Sequence, residues 1–112
     1  MVTVRIFRNK QGDIIRFQLS GHAGFAPAGE DIVCAAVSML VINTINSIEE
    51  FTKDKIHCQA EESGWIEAWF EMGKNEKVSH DAALLLKAMV KGLYEVKKEY
   101  GSYISINDEE VQ

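Results

Sequence analysis

The residues whose types and spacing could do chemistry lie between Leu19 and Leu40, in the run LSGHAGFAPAGEDIVCAAVSML. The run puts His22 at the end of a strand-like segment, then a glycine-punctuated loop, then Cys34 where a helical pattern begins. A thiol beside an imidazole is a nucleophile with its own base, the pairing that covalent hydrolysis needs. Asp31 matches a helix N-cap, which places Cys34 at the third helical position, where free backbone N–H groups and the helix dipole favour a negative sulfur. The dipole supplies only about 0.3–1 kcal/mol at an exposed helix end, less than about one pKa unit. A thiolate–imidazolium pair does far more, bringing some cysteines down to roughly 3–4. Such chemistry at neutral pH therefore requires a histidine, and of the three in the chain only His22 is near enough in sequence to share a loop–helix site with Cys34.

The neighbouring residues admit two roles each. Asp31, Cys34 and Ser38 fall on one helical stripe. Asp31 is a cap in one reading and an orienter of His22 in the other; a direct contact with the sulfur would oppose thiolate formation. Ser38 is a structural hydroxyl or a lining group of the site. Gly21, Gly24 and Gly29 could cradle a phosphate, but the loop has no lysine or arginine and Glu30-Asp31 is repulsive. They better suit a mobile loop beside a peptide groove, with Phe25, Ala26 and Pro27 as contacts for substrate or for packing. Cys34, Cys58, His22, His57 and His80 lack the paired spacing of a zinc site, so no metal or other cofactor is expected. Cys58 reads as a small buried hydrophobe, and His57 and His80 as solvated.

The elements that must position these residues follow from periodicity. Val2, Val4 and Ile6, then Ile15, Phe17 and Leu19, alternate with polar residues around a turn at Asn9–Asp13, which predicts a hairpin. A helix is predicted from about Asp31 to Phe51, with Val33, Val37, Leu40, Thr44 and Ile48 on one face. Apolar residues almost all round it predict cover on more than one side. A second hairpin turns at Glu62-Ser63-Gly64, and its returning strand, Trp65 to Phe70, is apolar on both faces. One of those faces is a candidate contact surface for a second subunit. Ser79 is placed to cap a second helix running to about Tyr100, with Leu85, Met89, Leu93 and Val96 as its stripe. Gly101 ends that helix, and Tyr103 to Ile106 forms a last short strand. The order ββαββαβ predicts an α+β fold, a two-layer α/β sandwich with a mainly antiparallel sheet and two long helices.

With 112 residues, 46% hydrophobic and 26% charged, the chain suits one domain spanning 1–112. A net charge of −5 argues against direct nucleic-acid binding and favours a basic protein or peptide partner. The start of the chain alternates and carries Arg5 and Arg8, unlike a signal peptide, and the apolar stretch from Ile32 to Ile42 is too short for a bilayer. A cytoplasmic protein with two free thiols and no membrane association is expected.

Three groups of residues, Gly21-His22-Ala23, then Gly29-Glu30-Asp31-Ile32-Val33-Cys34-Ala35-Ala36, then Ser38, resemble the hallmark of the ribosomal-processing cysteine protease family, Prp. Residue types and spacing agree together there, and the length and element order agree over nearly the whole chain. The resemblance implies that Cys34 is the nucleophile and His22 the general base, in a single cysteine peptidase domain. It also implies a substrate: the N-terminal extension of bacterial ribosomal protein L twenty-seven, removed after a Phe-Phe-Ala-like sequence during ribosome assembly. A two-layer sandwich and a homodimer are implied too. In the expected mechanism the helix-start N–H groups, that of Cys34 included, hold the oxyanion. The rivals are a non-catalytic ribosome-associated binding module with a buried cysteine and a redox-sensing thiol.

Overall fold

Strand alternation in the first twenty residues produces a hairpin whose turn is held by one side chain. Oδ1 of Asn9 accepts from the backbone N–H of Gln11 and of Asp13, each at 3.0 Å, and Gly12 takes the left-handed conformation at φ 87°. The computed structural model describes residues 1–21, 28–73 and 77–111, with positions 28–30 described in backbone only. Its elements are β1 (Val2–Arg8), β2 (Ile14–Ser20), α1 (Ala28–Phe51), β3 (Ile56–Ala60), β4 (Trp65–Phe70), α2 (His80–Tyr100) and β5 (Ile104–Glu110).

Among the described residues the strands form one sheet in the order β3-β4-β2-β1-β5. Every pairing is antiparallel except β1 with β5, so the expected mainly antiparallel sheet is what forms. Register sets the faces. Val4 pairs with Leu19, Ile6 with Phe17, Phe17 with Ala68, and Val2 with Ile104. These residues are all buried on the helix side, and each large one contributes about 1.5–3 kcal/mol. The opposite face carries Thr3, Arg5, Gln18, Trp65, Glu67 and Trp69, none of them fully covered.

Both helices lie on the buried face, which makes the expected two-layer α+β sandwich. Helix α1 buries Val33, Val37, Val41, Thr44, Ile45 and Ile48. Its other covered side meets α2 where Leu40 fits against Gly92, a position at which a Cβ would come within 3.0 Å of the leucine. The third side is open, with Ile32, Met39 and Ile42 exposed, so the helix is covered on two sides and not all round. By length and composition α1 could cross a membrane, unlike its Ile32–Ile42 core taken alone, but the protein uses its apolar stripe as the centre of its core. Helix α2 starts as expected: Ser79 is the N-cap and accepts from the N–H of Ala82 at 3.1 Å. Its buried stripe is Ala82, Leu86, Met89 and Leu93, with Leu85 and Val96 only partly buried. The last strand runs to Glu110, beyond the expected Ile106.

Candidate functional site

Cys34 stands in the second turn of α1, half-buried, on the flank that meets Gly21. Helix α1 begins at Ala28, three residues ahead of the expected cap. Asp31 is therefore an exposed helical residue and not the N-cap. Gly29 is helical instead of belonging to the loop. The earlier start also changes the electrostatics. In the second turn the N–H of Cys34 is committed to the carbonyl of residue 30, so it is not a free oxyanion donor. The dipole, concentrated in the first turn, gives the sulfur less help than a third-position cysteine would receive.

Three backbone and side-chain contacts define the sulfur's seat. Sγ of Cys34 lies 4.0 Å from Oγ of Ser38 one turn on, the outer limit for a sulfur hydrogen bond. The sulfur fills the space beside Gly21, where a Cβ would stand only 2.7 Å from it. Gly21 is held in turn by the second hairpin, its N–H donating to the carbonyl of Gly64 at 3.2 Å. Gly64 has φ 91°, and a Cβ there would come within 3.0 Å of the Gly21 carbonyl oxygen. Two glycines without side chains thus let the end of β2, the β3–β4 turn and the sulfur meet at one point. Gly64 was recognisable in the sequence as a turn residue. Its place beside the site follows only from the pairing of Ser20 with Trp65, which no local pattern reveals.

The other expected residues divide. Ser38 is beside the sulfur and Asp31 is on the same flank, exposed. His22, Ala23, Gly24, Phe25, Ala26 and Pro27 lie outside the described residues. Cys58 is exposed and not buried as expected, because β3 is an edge strand of which only Ile56 is buried. Partial burial and the nearby Glu49 carboxylate push its thiol pKa up, which leaves it a poor nucleophile despite its exposure. His57 and His80 are exposed as expected, contacting Glu71 and Asp81. Among the described residues no group of three or more His, Cys, Asp or Glu could hold a metal ion. A cleft of about 720 Å³ lined by Phe51, Asp54, Phe70, Met72 and Ser79 lies at the far end of the sheet from Cys34.

The family model for cysteine protease Prp matches residues 1–105 of this chain. The chain belongs to the cysteine protease Prp family. It is 28% identical over 107 residues to the ribosomal processing cysteine protease Prp of Staphylococcus aureus, covering 96% of this chain and 98% of that one. Its fold superposes on the crystal structure of Prp from S. aureus in complex with a substrate peptide at a TM-score of 0.85, with 27% identity over 96% of this chain and 99% of that one. The crystal structure of the same S. aureus protease with a covalently linked product peptide matches at a TM-score of 0.80, with 28% identity and the same coverage. The chain is accordingly a cysteine protease. Membership in the Prp family removes the non-catalytic binding module as a reading of its fold.

Proposed function

We propose that this protease removes a short N-terminal extension from a ribosomal protein precursor, with Cys34 as nucleophile and His22 as base. The observation that carries the assignment is the seat of the sulfur against Gly21. The next residue in the chain is His22, and one peptide spans only ~3.8 Å between Cα atoms. The ribosomal role of the S. aureus relative and the net charge of −5 both suit a basic substrate. The finer substrate is the extension of ribosomal protein L twenty-seven, cut after a Phe-Phe-Ala-like sequence.

His22 takes the proton from Cys34, and the sulfur attacks the carbonyl carbon of the scissile peptide. The amides that a helix leaves without partners in its first turn, at positions 28–30, replace that of Cys34 as oxyanion donors. When the C–N bond breaks, the imidazolium returns its proton to the departing amine; water then attacks the thioester and frees both sulfur and product. Asp31, exposed on the same flank, orients the imidazole without touching the sulfur. The protein works in a reducing cytoplasmic setting and pairs as a homodimer through the open sheet face around Trp65 and Trp69. Trp69 stacks there on His57 at 5.7 Å and lies under Arg16 at 5.9 Å.

Incubation with extended ribosomal protein L twenty-seven, followed by mass measurement of the products, tests the assignment. The extension should be lost with the wild-type chain and retained with Cys34→Ala. Retained turnover in Cys34→Ala would remove the sulfur from the mechanism.

A further inference from the structure

Two turns of the sheet hold a glycine in the left-handed region, Gly12 at φ 87° between β1 and β2 and Gly64 at φ 91° between β3 and β4. Any residue with a Cβ is disfavoured in that backbone conformation, and to the same degree at both. Their surroundings differ. A Cβ at Gly12 would meet nothing within 4 Å, whereas one at Gly64 would stand 3.0 Å from the carbonyl oxygen of Gly21, 3.3 Å from its carbonyl carbon and 3.7 Å from its Cα.

Those three atoms belong to the peptide unit that joins Gly21 to His22. A peptide unit is planar and moves as one plate, so a push on the Gly21 carbonyl swings the Cα of residue 22. The turn has little room to retreat. Gly64 donates to the carbonyl of Glu61 at 3.1 Å, Glu61 to that of Trp65 at 2.9 Å, and Gly21 to that of Gly64 at 3.2 Å. Trp65 in turn pairs with Ser20, the last residue of β2. Gly21 meets the sulfur as well, since a Cβ on it would lie 2.7 Å from Sγ of Cys34.

We infer that Gly64 is a positioning residue for the protease: its missing side chain lets the Gly21–His22 peptide take the orientation that brings the imidazole to Cys34. This rests on the His22–Cys34 reading above. The second hairpin supplies no group to the reaction; its turn sets where the base stands relative to the sulfur. Filling the space at Gly64 puts a carbon 3.0 Å from an oxygen, against about 3.3–3.6 Å for a relaxed contact of that kind. The softest response is a tilt of the Gly21–His22 plate, which moves the base while the fold stays.

The test is iodoacetamide alkylation of Cys34 at pH 7, read by mass, in the wild type, Gly12→Ala, Gly64→Ala and Gly64→Asn, each with His22 present and with His22→Ala. Asparagine tolerates the left-handed region better than alanine does, so Gly64→Asn keeps the fold if Gly64→Ala loses it, while presenting the same Cβ. Gly12→Ala should alkylate at the wild-type rate despite a lower melting temperature. Both Gly64 variants should react about three- to tenfold more slowly, and that slowing should vanish on the His22→Ala background, where no base is left to misplace. On an extension peptide, kcat of Gly64→Asn should fall by a similar factor, with KM within about twofold of wild type. Gly64→Asn reacting at the wild-type rate, or slowing equally on both backgrounds, overturns the inference and leaves the dyad standing. Equal rates in the wild type and His22→Ala overturn the dyad and the inference with it.

Discussion

Replacing Gly21 by alanine should leave the fold in place and displace the Cys34 sulfur, the proposed nucleophile. A Cβ at this position meets Sγ of Cys34 at 2.7 Å, while carbon–heavy-atom contacts are comfortable at about 3.5–4.0 Å. Roughly 1 Å must be found. The backbone at Gly21 can withdraw only by stretching its 3.2 Å hydrogen bond to Gly64, which costs about 1 kcal/mol if lost. Rotation of the cysteine side chain is the softer response, and it moves the sulfur off the reaction axis. Overpacking of this kind lowers stability by about 1–3 kcal/mol, and a 1 Å misplacement at a reacting atom lowers kcat on the order of a hundredfold. Gly12→Ala is the control: Gly12 sits at φ 87° with nothing within 4 Å, so it should lose stability and keep kcat. Melting curves and kcat on an extension peptide separate the two variants. A Gly21→Ala protein that melts near wild type and turns over within about threefold of it would refute the packing argument.

Asp31→Asn tests the orienting role, because asparagine removes the charge from an exposed helix position at little structural cost; kcat should fall several-fold with an unchanged melting temperature, and unchanged kcat would leave Asp31 without a role. Glu49→Gln should relieve the upward push on the Cys58 pKa and speed alkylation of that thiol at pH 8 by a few-fold, with proteolysis unaffected; mass mapping of the alkylated peptides checks it. Asp54 sits partly buried, which raises its pKa. Hydrogen bonds from the Ser79 side chain and backbone, from Thr52 and from its own amide outweigh that and hold it below its ordinary value of 3.8. Its contribution to stability is therefore complete above that value and is lost as pH falls through the lower folded one; acid unfolding of Asp54→Asn should show a shallower limb than the wild type. Ser79→Ala removes both the cap on α2 and a partner of Asp54. It should cost about 1 kcal/mol in denaturant melts.

The parts of the fold that were readable in the sequence are those set by local chemistry. Serine ahead of an apolar stripe marks the start of α2, and asparagine with glycine marks the first turn. Asp31 was misread because an aspartate before an apolar run resembles a cap, while the proline at position 27 is itself a helix-start signal and the structure begins α1 just after it. Cys58 was misread for a different reason. Its strand alternates like a half-buried one, but burial depends on whether a neighbour or a helix covers it, and strand order is decided by pairings distant in sequence. The same holds for Gly64, which reaches Gly21 only because β2 pairs with β4 across 40-odd residues. The cysteine, the serine one turn on and the flanking aspartate were legible because they share a helix stripe. Their meeting with two glycines from separate turns was not.

Alkylation of Cys34 by iodoacetamide at pH 7, compared between the wild-type chain and His22→Ala, tests the activated thiol most directly. A sulfur held as nucleophile by His22 should react at least tenfold faster in the wild type, with Cys58 slow in both. Equal rates at Cys34 in the two proteins would contradict the dyad.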